Sequence, residues 1–160
     1  MKEKEIVPLE MFVQLSFPNA KRNKLALFEE VAAAAADHLK DSVSAAAIVS
    51  GLKEREALST TGFGNGFAIP HGKIAGLQYP MLAVFRLKNP IDWEALDDQM
   101  VSHLFIILVP ENDAEQTHLK LLSKLSYELV NQEVQEQIRQ IKNEAEMTKW
   151  IELVFQNEEK

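Results

Sequence analysis

One histidine directly follows a glycine-rich stretch, TTGFGNGFAIPHG, at positions 60–72. Pro70 removes a backbone donor and stiffens the approach to His71, and Gly72 lets the chain leave without side-chain bulk. We expect this pattern to present the imidazole at the end of a strand, with backbone amides nearby. A neutral imidazole is a nucleophile at pH 7, and its phosphoramidate readily gives up the phosphoryl group. The residues alone fit a nucleophilic histidine and a close-packed turn histidine equally well.

Two cationic side chains elsewhere could assist a phosphoryl group at His71. His118 lies in the first turns of a predicted helix, where free N–H groups and the helix dipole favour an anion. Arg55 lies in a run of alternating charges, Lys-Glu-Arg-Glu, and it becomes a phosphate ligand only if it shares the site. Each of the two, taken singly, fits a solvated surface position. Together with His71 they predict a site that stabilises phosphoryl oxygens during transfer.

The two remaining histidines are predicted to be structural. His38 lies near the end of a predicted helix, where it is solvated or complements the helix dipole. His103 enters a strand that we expect to be buried, where a hydrogen-bonded role is favoured over chemistry.

The spacing of the glycines excludes the common nucleotide-binding loops. Five residues separate Gly66 from Gly72-Lys73, one more than in a Walker A loop, and Ile74 stands where that loop needs Ser or Thr. The alternating glycines also miss the dinucleotide-binding spacing and precede a predicted strand. A metal site formed by the two histidines and a carboxylate is an alternative that no spacing fixes. We expect neither a metal nor a cofactor.

The segment around His71 resembles the phosphorylation-site signature of the fructose/mannitol-type enzyme IIA domains of the bacterial phosphoenolpyruvate-dependent sugar phosphotransferase system. The similarity begins at Arg55-Glu56 and resumes at 60–72. It continues in Leu-Val-Pro-Glu at 108–111 and in Thr-His-Leu at 117–119, followed by Leu122. It covers nearly the whole chain, with a core signature at 55–73 and a second-histidine helix at 113–130.

The resemblance implies a phosphotransferase in which His71 is the phospho-acceptor, through its Nε2 (tele) nitrogen. The phosphoryl group would come from the histidine-phosphocarrier protein HPr and pass to a cysteine of a separate IIB component, for uptake of a fructose-like sugar. His118 and Arg55 would stabilise the phosphate. The resemblance also implies loop-shaping roles for Thr60, Thr61, Gly62, Gly64, Asn65, Gly66, Pro70 and Gly72.

The chain departs from the usual signature at three positions. Thr60 replaces a usual serine and keeps its hydroxyl, whereas Phe63 and Phe67 replace usual isoleucines. The two phenylalanines are either core residues or, with Ile69, part of an apolar docking surface around His71.

Composition limits the possible partners of the protein. The 160 residues are 46% apolar and carry a formal net charge of −7, which excludes a phosphate-backbone binder and predicts no nucleic acid partner. The absence of cysteine means that the thiolate step of a IIB component must lie on another chain, so we expect a stand-alone IIA protein. The N-terminus has no secretory h-region, and the longest apolar run, Leu104 to Val109, is too short for a membrane span. We therefore expect a cytoplasmic protein with no direct membrane insertion.

The hydrophobic patterns predict one α/β domain over residues 1–160, with a central mixed β-sheet flanked by α-helices on both faces. Strands are predicted at 11–17, 81–87 and 101–109, with extended chain at 67–69. Helices are predicted at 21–40 and from a cap at Asp41 or Ser42 to about 56. Asp113 and Gln116 resemble a capping box that opens the helix over 113–130, and Asn131 and Asn143 are expected to cap two further helices.

A regulatory function is the main alternative to sugar transport. The nitrogen-type IIA proteins share the same signature and signal through phosphorylation-dependent binding of target proteins. The segments at 89–93 and 125–129 favour the sugar branch weakly. Because both functions use His71, the site does not separate them, and the sugar itself cannot be read from a component that never touches it.

Overall fold

A computed structural model describes residues 9–40, 42–113 and 116–156 of the chain. Within these ranges the chain forms six strands and five helices, with five strands in succession between two groups of helices. In chain order they are β1 (Glu10–Phe17), α1 (Lys24–His38), α2 (Ala45–Glu56), β2 (Gly62–Gly64), β3 (Phe67–Ala68), β4 (His71–Ile74), β5 (Met81–Asp92), β6 (Met100–Pro110), α3 (Thr117–Leu129), α4 (Gln132–Gln140) and α5 (Glu144–Gln156).

The strands form one mixed sheet in the order β1-β5-β6-β3-β2, and β4 also pairs with β6. β1 is parallel to β5, β5 is antiparallel to β6, and β3 and β4 both run parallel to β6. β3 and β4 follow one another along the same side of β6, where Phe67 pairs with His103 and His71 with Ile107. Pro70, which has no N–H to donate, lies in the break between them, and its carbonyl accepts a bond from Ile107 N. The short strand β4 therefore ends up directly beside the central strand β6.

Both faces of the sheet are covered by helices, as the sequence predicts. Along β6, Leu104, Ile106 and Leu108 join one buried cluster with residues of α1 and α2. The intervening Phe105, Ile107 and Val109 join a second cluster with residues of α3, α4 and α5. A strand that is apolar on both parities is what a sheet covered on both faces requires. The predicted α/β class and the mixed sheet are confirmed.

The predicted boundaries lie within five residues of the observed ones, with the largest difference in β5, which is predicted at 81–87 and continues to Asp92. Asn23 caps α1, Ser44 caps α2 and Asn131 caps α4 through their side chains. The cap of α2 is therefore neither of the predicted residues: Ser42 bonds Leu39 O instead, and Asp41 lies outside the described residues. Asn143 accepts a bond from Glu146 N at the start of α5, as expected.

A close approach of two glycines sets the position of α2 on β4. A Cβ added to Gly72 would lie 2.7 Å from the backbone of Gly51, and a Cβ added to Gly51 would lie 2.7 Å from Lys73 O. No side chain other than hydrogen fits at either position without moving backbone. α2 therefore lies directly on β4, and its last turn comes next to His71.

His38 and His103 occupy structural positions. His38 is the last residue of α1, where its Nε2 lies 2.8 Å from Glu10 Oε2 and its ring stacks on Phe12. His103 is buried in β6, where its Nδ1 lies 2.9 Å from Ser102 Oγ and its ring stacks on Phe67. In the described part of the chain, His103 Nε2 has no hydrogen-bond partner.

We expect His103 to make stability fall in acid. Burial, with the charges of Arg86 and Arg139, lowers the pKa of His103 from 6.5 to about 4. Between these values the unfolded chain binds a proton that the folded protein does not, so the free energy of unfolding falls by about 3 kcal/mol as pH drops from 6.5 to 4. Denaturant unfolding of wild type and His103→Gln across this range measures the effect. The variant should lose this part of the pH dependence. An unchanged dependence of its unfolding free energy on pH would show that His103 is not the cause.

Candidate functional site

The predicted phosphoryl site is a pocket of about 440 Å³ between the end of α2, the start of α3 and β4. Three of the residues singled out in the sequence, Arg55, His71 and His118, line this pocket together. The other lining residues are Gly51, Glu54, Leu58, Gly72, Lys73, Leu119 and Leu122. The fold therefore brings Arg55 and His118, which are far apart in the sequence, to one place.

The His71 ring is fixed by a bond at each nitrogen. Its Nδ1 lies 2.9 Å from Ile69 O, and Arg55 Nε donates to its Nε2 at 3.2 Å. A carbonyl oxygen only accepts, so Nδ1 carries the proton; an arginine only donates, so Nε2 carries the lone pair. Nε2 is thus the nitrogen that can attack an electrophile. His71 is 8% exposed, so its side chain at the start of β4 is largely buried.

The surroundings keep His71 neutral at physiological pH. Burial lowers the pKa of His71 below its ordinary value of 6.5, and the positive charges of Arg55 and His118 lower it further. The bond to Ile69 O and the charge of Glu56 oppose this shift without reversing it. A neutral ring with a free lone pair is the form that a nucleophile requires.

Arg55 is held in position from both sides. It lies in the last turn of α2, where its Nη1 donates to Ser59 O at 2.8 Å while its Nε faces His71. A cation near a helix C-terminus also complements the helix dipole. The guanidinium of Arg55 therefore lies beside Nε2 of His71, where its planar fork can donate to an anion.

His118 is oriented by an acidic partner. Its Nδ1 lies 2.6 Å from Asp113 Oδ2, and the Asp113 carboxylate also accepts from Thr117 N and His118 N. Burial raises the pKa of the Asp113 carboxyl, but the bonds from His118 and Thr117 outweigh it and lower the pKa overall. The His118 ring lies nearly parallel to the His71 ring, with centroids 6.3 Å apart. Asp113 thus accepts the Nδ1 proton of His118 and leaves Nε2 of His118 for a ligand, to which it donates when Nε2 also carries a proton.

Two expectations about this helix are wrong. The helix begins at Thr117, preceded by Gln116 in a left-handed conformation with no side-chain cap bond, so no capping box opens it at Asp113. The N–H groups of Thr117 and His118 are already bonded to Asp113 and are not free for an anion. The anion-binding capacity here comes from the imidazole of His118 and not from these two amides.

The glycine-rich segment packs away from the pocket. β2 and β3 form a hairpin whose tip residue, Asn65, is held by Asp97, Gln135 and Arg139. Gly62 fits tightly against Ala95, since a Cβ there would lie 2.6 Å from the Ala95 side chain. Gly62, Gly64, Asn65 and Gly66 are not among the residues that line the pocket, and their loop-shaping roles stay predictions. Thr60 and Thr61 lie at the base of the hairpin, where Thr60 Oγ1 accepts from Gly62 N.

The predicted apolar docking residues are mostly core. Phe67 is completely buried and Ile69 is 3% exposed, and both belong to the cluster under α3–α5. Phe63 is half-buried against that same cluster. The apolar surface at the pocket consists instead of Leu58 and Leu119, which are 79% and 48% exposed, with the half-buried Leu122. The two phenylalanines are thus packing residues, and leucines of α3 and of the turn after α2 surround the pocket.

Comparison with known proteins places the chain in a family. The family model described as "Phosphoenolpyruvate-dependent sugar phosphotransferase system, EIIA 2" matches residues 12–153. The chain belongs to this family. As an enzyme IIA domain of this type it is implied to take part in phosphoryl transfer in general, and the resemblance read from the signature at 55–73 is confirmed.

Relatives of this enzyme IIA domain include both regulatory and sugar-specific proteins. It is 40% identical over 117 residues to a nitrogen regulatory protein of Pseudomonas aeruginosa, covering 73% of this chain and 75% of that one. It is 37% identical over 133 residues to a fructose-specific EIIA component of Haloferax volcanii, covering 83% of each. Among solved structures, the nitrogen regulatory protein IIA-Ntr of Neisseria meningitidis matches with a TM-score of 0.73 and 34% identity, over 84% of this chain and 90% of that chain.

Three residues of this site were not singled out as site residues in the sequence. Asp113 was interpreted as a helix cap, although its spacing of five residues before His118 was visible. Gly51 lies inside a helical run, where its need for close approach to Gly72 has no local signal. Leu58 lies in the turn after α2, where a single leucine has no pattern that marks it as part of a site.

Replacing Asp113 by asparagine should slow phosphoryl uptake by freeing the His118 ring. A carboxylate orients the His118 ring and stabilises its doubly protonated, donating form, and an amide does so less well. We therefore expect a rate about tenfold lower, less than the loss of a direct donor costs. Uptake kinetics of Asp113→Asn, His118→Ala and the double variant measure this. If Asp113 acts through His118, the double variant is no slower than His118→Ala. Additive losses would contradict that role.

Proposed function

We propose that this enzyme IIA domain carries a phosphoryl group on Nε2 of His71. The observation that carries the proposal is the bond from His71 Nδ1 to Ile69 O, which leaves Nε2 unprotonated beside Arg55 and inside the pocket. Family membership supports phosphoryl transfer as the class of reaction. The unprotonated Nε2, the neighbouring cation and the family membership therefore all support phosphoryl transfer to His71.

The transfer exchanges one phosphorus–nitrogen bond for another. The Nε2 lone pair attacks phosphorus in line with the donor nitrogen, the donor bond breaks, and its electron pair stays on the donor ring. Arg55 releases its bond to Nε2 and, with His118, donates to the oxygens of the transferred group and stabilises the charge on them. The His71 Nδ1 proton stays directed at Ile69 O, where the carbonyl dipole offsets the positive charge that the ring gains. No metal or cofactor is needed for this step.

The proposed donor is the phosphorylated histidine of HPr. A donor protein must bring its own phosphohistidine into contact with a ring that is only 8% exposed, so it must seal closely around the pocket. The exposed leucines Leu58 and Leu119 supply apolar contact at the rim, with Glu54 and Lys73 as charged neighbours. Apolar centres with polar margins are typical of such interfaces.

The experiment that tests this function follows phosphoryl uptake by the purified chain. Incubation with phosphoenolpyruvate, enzyme I and HPr should add one phosphoryl group per chain, detected by intact mass. Omission of HPr should abolish uptake, which identifies the donor. A chain that gains no phosphoryl group in the complete mixture would contradict the proposal.

Uptake should slow as salt is raised. The net charge of −7 attracts a donor with a basic docking face, and charges further apart than about 8 Å are largely screened at physiological ionic strength. We therefore expect the bimolecular rate constant for uptake from phospho-HPr to fall between low and high salt, with the rate at saturating donor nearly constant. Leu58→Ala is the matched control, because it weakens docking without changing the salt dependence. A flat bimolecular rate would show that net charge does not steer the encounter.

A regulatory role is the second candidate function, and it differs from sugar uptake in what happens to the phosphoryl group after His71. The similarity to nitrogen regulatory proteins supports phosphorylation-dependent target binding at least as well as sugar uptake through a IIB cysteine. The sugar-specific relative supports the transport role. Adding phosphorylated chain to fructose-type IIB protein separates the two: rapid transfer to a cysteine supports transport, and a phosphohistidine that persists supports regulation.

A further inference from the structure

A buried charged pair lies behind the site and is not explained by phosphoryl transfer itself. Lys24 Nζ and Glu56 Oε2 are 2.9 Å apart, and their side chains are 13% and 3% exposed. A buried ion pair is weak evidence for stability, because the cost of removing two charges from water offsets much of their attraction. Such a pair is better explained by a need to hold neighbouring residues in one arrangement. The hydrogen bonds of Glu56 show which residues it holds.

The Glu56 carboxylate holds Thr61 at two points. Thr61 N donates to Oε2 at 2.9 Å and Thr61 Oγ1 donates to Oε1 at 2.6 Å. The same Oγ1 accepts from Nε1 of Trp93, which is fully buried. Trp93 O in turn accepts from Lys24 Nζ at 3.2 Å, so the four residues form a closed network. Thr61 is therefore the most constrained residue at the base of the hairpin.

From Thr61 the hydrogen bonds continue to the nucleophile. Ile69 N donates to Thr61 O at 3.0 Å, and the Ile69 carbonyl accepts from His71 Nδ1 at 2.9 Å. We propose that Glu56, neutralised by Lys24, is a positioning residue that holds the His71 tautomer through Thr61 and Ile69. This inference rests on the proposed function, since it concerns the nitrogen that would accept the phosphoryl group.

The physical consequence concerns a single proton. A neutral imidazole carries its proton on either nitrogen, and the nitrogen without it is the nucleophile. If Thr61 shifts, Ile69 O moves with it and the bond that keeps the proton on Nδ1 weakens. Part of the protein then carries the proton on Nε2 and cannot accept a phosphoryl group there.

Thr61→Val tests the relay with little change of shape. It removes the hydroxyl that bonds Glu56 and Trp93 and keeps the branched side chain. We expect the rate of uptake at saturating phospho-HPr to fall about tenfold, which is the effect of losing the hydrogen-bond partner of a metal-ligating histidine. The KM for phospho-HPr should not change, because Leu58 and Leu119 at the rim of the pocket are unaltered. Thr61→Ser keeps the hydroxyl and should recover most of the rate. Glu56→Gln, which leaves Lys24 without its charge partner, is the second variant. It should show the same lower saturating rate with an unchanged KM.

Imidazole ¹⁵N spectra of the unphosphorylated protein supply the second readout. Wild-type His71 should show its proton on Nδ1, and Thr61→Val should show a mixture of tautomers. Leu15→Ala is the stability control, since Leu15 is buried on β1, which β5 and β6 separate from β4. It should leave the His71 spectrum unchanged. Thr61→Val with a wild-type tautomer and a wild-type saturating rate would overturn the inference.

The two readouts separate this inference from the proposed function. If wild type takes up no phosphoryl group, the proposed function fails, and the tautomer spectra still report on the relay. If wild type is phosphorylated but Thr61→Val slows no more than Leu15→Ala and keeps the wild-type tautomer, only the relay fails.

Discussion

His71→Ala takes up no phosphoryl group from phospho-HPr, whereas wild type takes up one: this is the largest effect that we expect. The variant removes Nε2, the nitrogen that Arg55 contacts and that the Ile69 bond leaves unprotonated. Label on wild type should be acid-labile and alkali-stable, as a phosphoramidate is. The label on each protein is measured after the proteins of the reaction mixture have been separated by mass.

The control for this variant is His118→Ala, which removes the neighbouring imidazole of the same pocket. It should still be labelled, at a rate on the order of 10²-fold lower, because losing one donor to developing charge commonly costs this much. Unfolding curves of both variants exclude loss of fold as the cause. Label on His71→Ala, or none on His118→Ala, would reverse the roles that we assign.

Arg55→Met should show two effects together, slow transfer and a shifted pH profile. Loss of the guanidinium removes a charged donor to the phosphoryl oxygens, so the saturating rate should fall on the order of 10²-fold. The positive charge of Arg55 also lowers the pKa of His71, so its removal raises that pKa. Uptake needs neutral His71 and rises with pH through this pKa. The midpoint lies below 6.5 in wild type and should move to higher pH in the variant.

Arg55→Lys is the matched control, because it keeps the positive charge and loses the planar fork. Its pH midpoint should stay near that of wild type, while its saturating rate lies between those of wild type and Arg55→Met. Rates measured from pH 5 to 8 at saturating phospho-HPr give both quantities. A midpoint that moves to lower pH in Arg55→Met, or an unchanged rate, would contradict the placement of Arg55 beside Nε2.

Strands and helices with strong periodic patterns could be predicted from the sequence. The run at 104–109 is apolar on both parities, and this alone indicates a central strand between two helical layers. The motif matches at 55–73 and 117–119 drew attention to Arg55, His71 and His118, which line one pocket, and their roles in phosphoryl transfer stay predictions. The elements could be predicted because each depends on a local pattern.

The remaining features depend on contacts between distant residues. β4 is four residues long and contains His71 and Gly72, so its pairing with β6 has no hydrophobic pattern of its own. Likewise, the burial of Phe67 and the exposure of Leu58 follow from how α2 and α3 lie on the sheet. The partner of Asp113 was missed because a carboxylate near a helix start ordinarily signals a cap. Tertiary packing decided each of these cases.

The phosphorylated protein offers one measurement that decides which atom carries the group. Labelling with ¹⁵N at histidine and recording ³¹P–¹⁵N couplings on the phosphorylated chain locates the phosphorus–nitrogen bond. The hydrogen bond from His71 Nδ1 to Ile69 O predicts that phosphorus is bonded to Nε2 of His71, with the Nδ1 proton still present. Phosphorus bonded to Nδ1, or to a nitrogen of His118, would contradict the site that we describe.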